Sequence, residues 1–278
     1  MIADGLLALH VLRRGTPGAV PLVLLHGFPL DHRMWLDVTD LLAGDPTVLA
    51  PDLPGFGTSP SGPGVSATVE PSISTMADAV AATLRRAGVG RAVVGGLSMG
   101  GYVAMALADR HPELVAGLAL LDTRSTADEE DARANRLAVA ATVVTELSVE
   151  PVLGMRTALL GASNRVARLD LVERLDGWIR DQGPQGVAWA LRAMAARPDR
   201  TAALSAYRGP ALVVVGEQDE ITPLAAAEHL IGALAAGELV VVPGAGHMTA
   251  NESPEPVAAA LTDLLMRVSE AEAARPGR

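Results

Sequence analysis

Apolar residues gather in short, nearly continuous runs, separated by longer stretches with helical spacing. Pro21–Leu25, Thr47–Ala50, Ala92–Gly96, Val115–Leu121, Ala211–Val215 and Glu238–Val242 are such runs. Pro21–Leu25, fully apolar and ending in His26-Gly27, is what a strand buried on both faces needs. Leu6–Arg13 alternates instead and meets Gly15–Gly18, which reads as an opening strand and a turn. Helical spacing covers Asp31–Leu42, with Trp35, Val38, Leu41 and Leu42 on one face. It returns in Ser72–Ala87, with Thr75 or Ser74 as a candidate cap, and in Gly100–Arg110, stopped near Pro112. Pro223–Leu234 and Pro254–Val268 complete the set, and Pro51–Gly64 is turn-rich. Strands alternating with helices predict an α/β protein, a parallel sheet with helices on both faces.

From about Arg124 to Tyr207 the rhythm breaks, with helix-like segments and no convincing strand. Such a block between two core strands reads as a helical insertion over one edge of the sheet. The expected organisation is a core over 1–123, a cap over 124–205, the rest of the core over 206–268, and a polar, frayed tail over 269–278. No internal repeat or low-complexity linker is evident. Met1–Arg14 lacks a basic start, a long apolar stretch and a cleavage site, and no uncharged run approaches the ~20 residues of a membrane span. The expectation is a soluble cytoplasmic protein, its oligomeric state left open.

Composition narrows the chemistry. The chain has 278 residues, a net charge of -10 and no cysteine, so disulfides, thiolate metal sites and a thiol nucleophile are excluded. All 22 basic residues are arginine, which removes a lysine Schiff base and a lysine-type phosphate loop. Net acidity without an arginine cluster argues against nucleic-acid or anionic-membrane partners. Aromatics are only 3% of the chain, so aliphatic residues and alanine must build the core.

Gly96-Leu97-Ser98-Met99-Gly100 follows one strand run and opens a helix, the context of a nucleophile elbow. A serine on so sharp a turn presents its hydroxyl above the sheet, and small flanking residues avoid collision. The helix N-terminus offers free N–H groups and a positive field to a developing oxyanion. A serine hydroxyl needs a base. Of six histidines, His247 has the best setting, in the glycine loop 244–247 just after a strand. His26 precedes a motif with another role, His10 lies in the opening strand, His111 near a helix end and His229 within a helix; His32 stays open as pocket lining. The base needs a carboxylate to hold its tautomer. Asp219, after the strand Ala211–Val215, is the choice. Asp122, after Val115–Leu121, is the rival, and Glu217 and Glu220 are weaker. Oxyanion donors are expected from the Met99 amide and, in the loop His26-Gly27-Phe28-Pro29, from the Phe28 amide.

HGFP at 26–29, DLPGFGTS at 52–59, GLSMGG at 96–101, GEQD at 216–219 and GAGH at 244–247 occur in an order that resembles the α/β-hydrolase superfamily. The resemblance covers nearly the whole chain and is nearest the small capped carboxylesterase, enol-lactonase and cofactor-free haloperoxidase branch. It implies a mostly parallel eight-stranded sheet with a helical cap after the sixth strand, a Ser98-Asp219-His247 triad, and a structural role for 52–59. No metal or cofactor is implied. The expected partner is a small-molecule ester or lactone.

Three readings follow. The first is a serine hydrolase of esters or lactones, with perhydrolysis as a side reaction. The second is epoxide or haloalkane hydrolysis, disfavoured because those families use an aspartate where this chain has Ser98. The third, of another class, is a small-molecule receptor on the same fold. Candidate lining residues are Phe28, Leu30, Met99, Leu153, Met155, Trp178, Trp189 and Met194, with packing between helices as the competing explanation for those of the cap. Arg124 is a candidate to hold a substrate carboxylate. Two backbone expectations are a positive φ at Ser98 and a cis Phe28–Pro29 bond.

Overall fold

The computed structural model describes residues 6–60 and 70–274. Among them are seven strands: β1 (Leu9–Arg13), β2 (Leu22–Leu25), β3 (Val48–Pro51), β4 (Ala92–Leu97), β5 (Val115–Leu121), β6 (Ala211–Gly216) and β7 (Gly237–Val242). Their order is β1-β3-β2-β4-β5-β6-β7, with β1 antiparallel to β3 and the other pairs parallel. The unbroken apolar runs form the inner strands β2 to β6, buried along their whole length. The two edges, β1 and β7, are half-exposed.

Two expectations are corrected here: the described sheet has seven strands rather than eight, and the helical insertion follows the fifth strand rather than the sixth. The eighth strand came from the resemblance and matched no apolar run. The N-terminal sequence supplies one alternating segment, which becomes the edge strand β1, and residues 6–8 before it are not strand. Residues 1–5 lie outside the described residues, as does the 61–64 part of the turn-rich stretch.

The helices are α1 (Leu36–Leu41), α2 (Ile73–Arg86), α3 (Met99–Arg110), α4 (Glu130–Glu146), α5 (Met155–Ala158), α6 (Asn164–Ala167), α7 (Leu169–Arg180), α8 (Pro184–Ala195), α9 (Thr201–Ala206), α10 (Leu224–Ala233), α11 (Thr249–Glu252) and α12 (Pro254–Ala273). α3 packs against β4 and β5 with α2 beside it, and α12 packs against β5 and β6 with α1 beside it, giving the helical layers. The cap of α2 is Ser72, not Ser74 or Thr75. Ser72 is extended (φ -154°, ψ 138°), and its hydroxyl accepts from the amides of Ser74 and Thr75, which already lie in the first turn. Such a cap is worth about 1 kcal/mol.

The segment read as one helix over 31–42 is a 3₁₀ turn at His32–Trp35 followed by α1. Leu41, placed on its buried face, is exposed, while Trp35 and Val38 are buried. The tail does not fray at 269: α12 continues to Ala273, and Glu272 pairs with Arg91 at 3.2 Å. Residues 275–278 lie outside the described residues.

Between β5 and β6 the described chain is helical, α4 to α9, and α4 packs along α8. This insert meets the loops at the carboxyl ends of the strands. The Gln182 side chain donates to Asp31 Oδ2 (2.8 Å) and accepts from the Gly57 amide (2.9 Å). From β2 the chain crosses to β3 on one side, and from β4 to β5 on the other. The switch point of the strand order therefore lies between the loops after β2 and β4, the place where open α/β sheets bind ligands. No described helix is long and apolar enough to cross a membrane.

Candidate active site

Ser98 ends β4 and caps α3 with φ 54° and ψ -113°, a left-handed conformation in a residue that has a side chain. Ring-like support holds it there. Its amide donates to the Leu121 carbonyl (2.9 Å), and its own carbonyl accepts from the Gly101 amide (2.9 Å) and the Thr123 hydroxyl (2.8 Å). Close approach makes the flanking glycines obligatory. A Cβ on Gly96 would stand 2.1 Å from the Gly100 carbonyl oxygen, and one on Gly100 equally close to that of Leu25. Strain of this kind costs of order 1–3 kcal/mol and persists only where neighbours over-determine it.

Ser98 Oγ lies 2.8 Å from His247 Nε2, and His247 Nδ1 lies 2.8 Å from Asp219 Oδ2. A carboxylate only accepts, so Nδ1 carries the proton and Nε2 is left to accept from the serine. His247 and Asp219 are buried, and Ser98 is half-buried. Asp219 Oδ1 accepts from the amides of Ile221 (2.8 Å) and Thr222 (2.9 Å), and Oδ2 from the Thr222 hydroxyl (2.6 Å). Burial pushes this carboxyl up, but the hydrogen bond and charge of His247, together with the Thr222 donors, outweigh it and hold Asp219 below the ordinary carboxylate value. The acid is therefore an anion throughout the neutral range, as the imidazolium requires.

Asp122 is not the histidine's partner. Its Oδ1 accepts from the Gly216 amide (3.1 Å), and its Oδ2 from the Thr249 amide (3.2 Å) and hydroxyl (2.5 Å). It is fully buried with φ 45°. Burial, and then the charge of Asp219, push its carboxyl well above the usual range. Asp122 thus joins the ends of β5 and β6 to the loop after β7. Glu217 instead accepts from the Gly244 amide (2.9 Å), and Glu220 pairs with Arg165 (2.8 Å).

Met99 opens α3, where a first-turn amide has no carbonyl one turn back. Neither its N–H nor that of Phe28 is engaged by a backbone partner among the described residues. Phe28–Pro29 is cis. The fully buried His26 braces this loop: Nε2 accepts from the Leu53 amide (2.8 Å), so Nδ1 donates to the Gly27 carbonyl (3.0 Å). Burial holds His26 below its ordinary value, in keeping with a neutral ring.

Leu30, Leu153, Trp189 and Met194 are buried, and the Trp189 indole N–H finds no partner among the described residues. Met155 is half-buried. Trp178 is half-buried too, with the Arg33 and Arg174 guanidinium groups 5.9 and 5.8 Å from its ring. Arg124 donates to the Ile221 carbonyl, beside the Asp219 turn. Thr222 and Thr249 were missed by sequence reasoning. Thr222 had a local signal, an aspartate three residues earlier in a turn; Thr249 had none, since its partner is 127 residues away.

The remaining histidines serve elsewhere. His111 Nε2 bonds Asp78 (2.8 Å) and His229 Nε2 approaches the Thr201 hydroxyl (3.1 Å). His10 and His32 stack at 3.5 Å and both donate to the buried Asp52. Their rings are within 9° of parallel, and one nitrogen of each is turned to the same carboxylate, the three ligand atoms lying within 4.8 Å of one another.

The family model described as alpha/beta hydrolase fold matches residues 20–254. A dihydrolipoyllysine-residue acetyltransferase component of the acetoin cleaving system from Pseudomonas putida is 31% identical over 87% of this chain, which spans 62% of that protein. A pimeloyl-[acyl-carrier protein] methyl ester esterase from Aromatoleum aromaticum is 30% identical, covering 88% of this chain and 97% of its own. Among solved structures, a thermophilic esterase from Thermogutta terrifontis superposes with TM-score 0.85 at 37% identity, covering 94% of this chain and 93% of its own. With the match spanning most of the chain, this protein belongs to the α/β-hydrolase fold family.

Proposed function

We propose that this protein is a serine hydrolase cleaving a small-molecule carboxylic ester or lactone through an acyl-serine intermediate. The observation that carries the reading is the unbroken relay from Ser98 Oγ through His247 to Asp219, with 2.8 Å at each step. Its relatives include proteins named as esterases, which agrees with this class.

In this reading, Ser98 Oγ attacks the carbonyl carbon as Nε2 of His247 takes its proton. The tetrahedral oxyanion forms at the amides of Met99 and Phe28, donors worth roughly 10²–10³ in kcat each. Asp219 stabilises the imidazolium that forms. His247 then protonates the leaving oxygen, the acyl-serine is released by water activated at the same nitrogen, and Ser98 regains its proton. The insert acts as the cap that bounds the substrate, with Leu30, Leu153, Met155, Trp178, Trp189 and Met194 as candidate lining.

An ester panel graded in acyl and alcohol length, including methyl esters of dicarboxylic acids and an enol-lactone, tests the class. Turnover that vanishes in Ser98→Ala supports the reading. Wild-type turnover in Ser98→Ala sinks it, and tight saturable binding with no turnover would instead favour a receptor.

A further inference from the structure

Glu252 ends α11, five residues after His247, and is buried at 6% exposure. Its Oε1 accepts from the amides of Gly246 (2.8 Å) and Met248 (3.3 Å), the residues on either side of His247. Its Oε2 accepts from the Gly161 amide (2.8 Å) and Asn164 Nδ2 (2.7 Å), both in the helical insert. The same insert segment takes the His247 amide itself, which donates to the Leu159 carbonyl (2.9 Å). Asn164 Nδ2 reaches further, to the Gly244 carbonyl at 3.2 Å. The two backbones touch: a Cβ on Gly246 would stand 2.2 Å from the Gly161 nitrogen.

A carboxylate taken out of water is tolerated only when its oxygens are hydrogen-bonded. Here the donors divide, one oxygen to each segment. If the insert segment withdrew, Oε2 would lose both partners while Oε1 stayed on the histidine loop. Such a buried acceptor left unpaired is costly, so the two segments are coupled through this one side chain.

We infer that Glu252 is a positioning residue that joins residues 159–164 of the insert to the His247 loop, keeping the base within reach of Ser98 only while that segment is docked. This rests on the serine-hydrolase reading. It also means that 159–164 moves with the base and does not open as an independent lid.

The test compares wild type, Glu252→Gln, Asn164→Ala and the double variant, normalised by titrating Ser98 with a fluorophosphonate. Glutamine keeps one carbonyl oxygen and so satisfies one segment only. The expected result for Glu252→Gln is a kcat lower by about 10–100-fold, the scale of a sub-ångström to 1 Å misplacement, with KM within about twofold. The rate of Ser98 labelling should fall by the same factor. Asn164→Ala should lower kcat by about 3–10-fold and add little in the double variant, as coupled partners do.

Wild-type kcat per titrated site in Glu252→Gln overturns the inference, and so do effects that multiply in the double variant. If Glu252→Gln fails to fold, Asn164→Ala decides alone, and an unchanged kcat and labelling rate there overturns it. Failure of the underlying reading shows separately, as wild-type turnover in Ser98→Ala.

Discussion

Two clusters in this molecule place imidazole nitrogen on buried aspartate at nearly the same distance. His247 meets Asp219 at 2.8 Å; His10 and His32 meet Asp52 at 2.9 and 2.8 Å. The difference lies in what faces the rest of each ring. His247 turns its second nitrogen to a serine held at φ 54°, beside the free first-turn amide of a helix. The rings of His10 and His32 stack on each other, and Asp52 also accepts from the amides of His32 (3.0 Å) and Thr58 (2.9 Å) and the Thr58 hydroxyl (3.2 Å). Burial pushes the Asp52 carboxyl up, but these partners outweigh it and hold it low. A histidine–carboxylate pair is therefore not a chemical site in itself. It becomes one where a ring nitrogen is left for a nucleophile and unpaired donors stand where charge will develop.

The largest expected effect separates the clusters by activity. Ser98→Ala or His247→Gln should lower kcat by at least 10³-fold, and Asp219→Asn by about 10⁴-fold, since the asparagine selects the wrong tautomer. Asp52→Asn should leave kcat per titrated site within about twofold. A folded Asp52→Asn variant as inactive as Asp219→Asn would break the comparison.

Stability should separate them in the opposite sense. Asp52→Ala leaves two rings and two amides without their shared acceptor, and a loss of about 3 kcal/mol or more is expected in urea unfolding. The remaining folded protein should keep its kcat. A loss below about 1 kcal/mol would show that Asp52 does not hold these partners together.

Much of the site was readable because each of its members sits at a strand end. Ser98, Asp219 and His247 all follow apolar runs, each within three residues of a glycine, so their place at the sheet's carboxyl edge was legible. The cis Phe28–Pro29 bond and the positive φ of Ser98 follow from local turn chemistry in the same way. Asp122 could not be read correctly. From sequence it is a second strand-end carboxylate, and only the packing shows it turned away to Gly216 and Thr249. Glu252 was invisible for the same reason: its partners Gly161 and Asn164 lie about ninety residues away. The strand count erred where the resemblance was trusted beyond the apolar runs, and the split of 31–42 into two short helical pieces has no periodic signature.

Asp122 gives a third, smaller test, of how a buried acid beside the relay differs from the relay's own. Its folded value is raised, so above the unfolded carboxylate value of about 4 the folded state holds a proton that the unfolded state releases. Stability is therefore lost as pH rises, at up to about 1.4 kcal/mol per pH unit. Asp219 runs the other way: its folded value is depressed, so its contribution is present above about 4 and is lost as pH falls through the folded value. In Asp122→Asn the melting temperature relative to wild type should climb as pH rises above about 4. A constant difference across that range would mean that Asp122 is ionised in the fold.

The smallest effect is expected at His10, a quarter of whose side chain is exposed (27%). His10→Gln should cost about 0.5–1 kcal/mol and leave turnover unchanged. A loss of activity there would extend the functional region to a cluster that the geometry assigns to support.

The most direct measurement of the central claim is peptide mapping by mass spectrometry of enzyme quenched during p-nitrophenyl acetate turnover. An acetyl group is expected on Ser98 in wild type, persisting longer in His247→Gln acylated chemically because water attack is slowed, and absent in Ser98→Ala. An active enzyme whose quenched Ser98 peptide carries no acyl group, or whose acyl group sits on another residue, would contradict the claim.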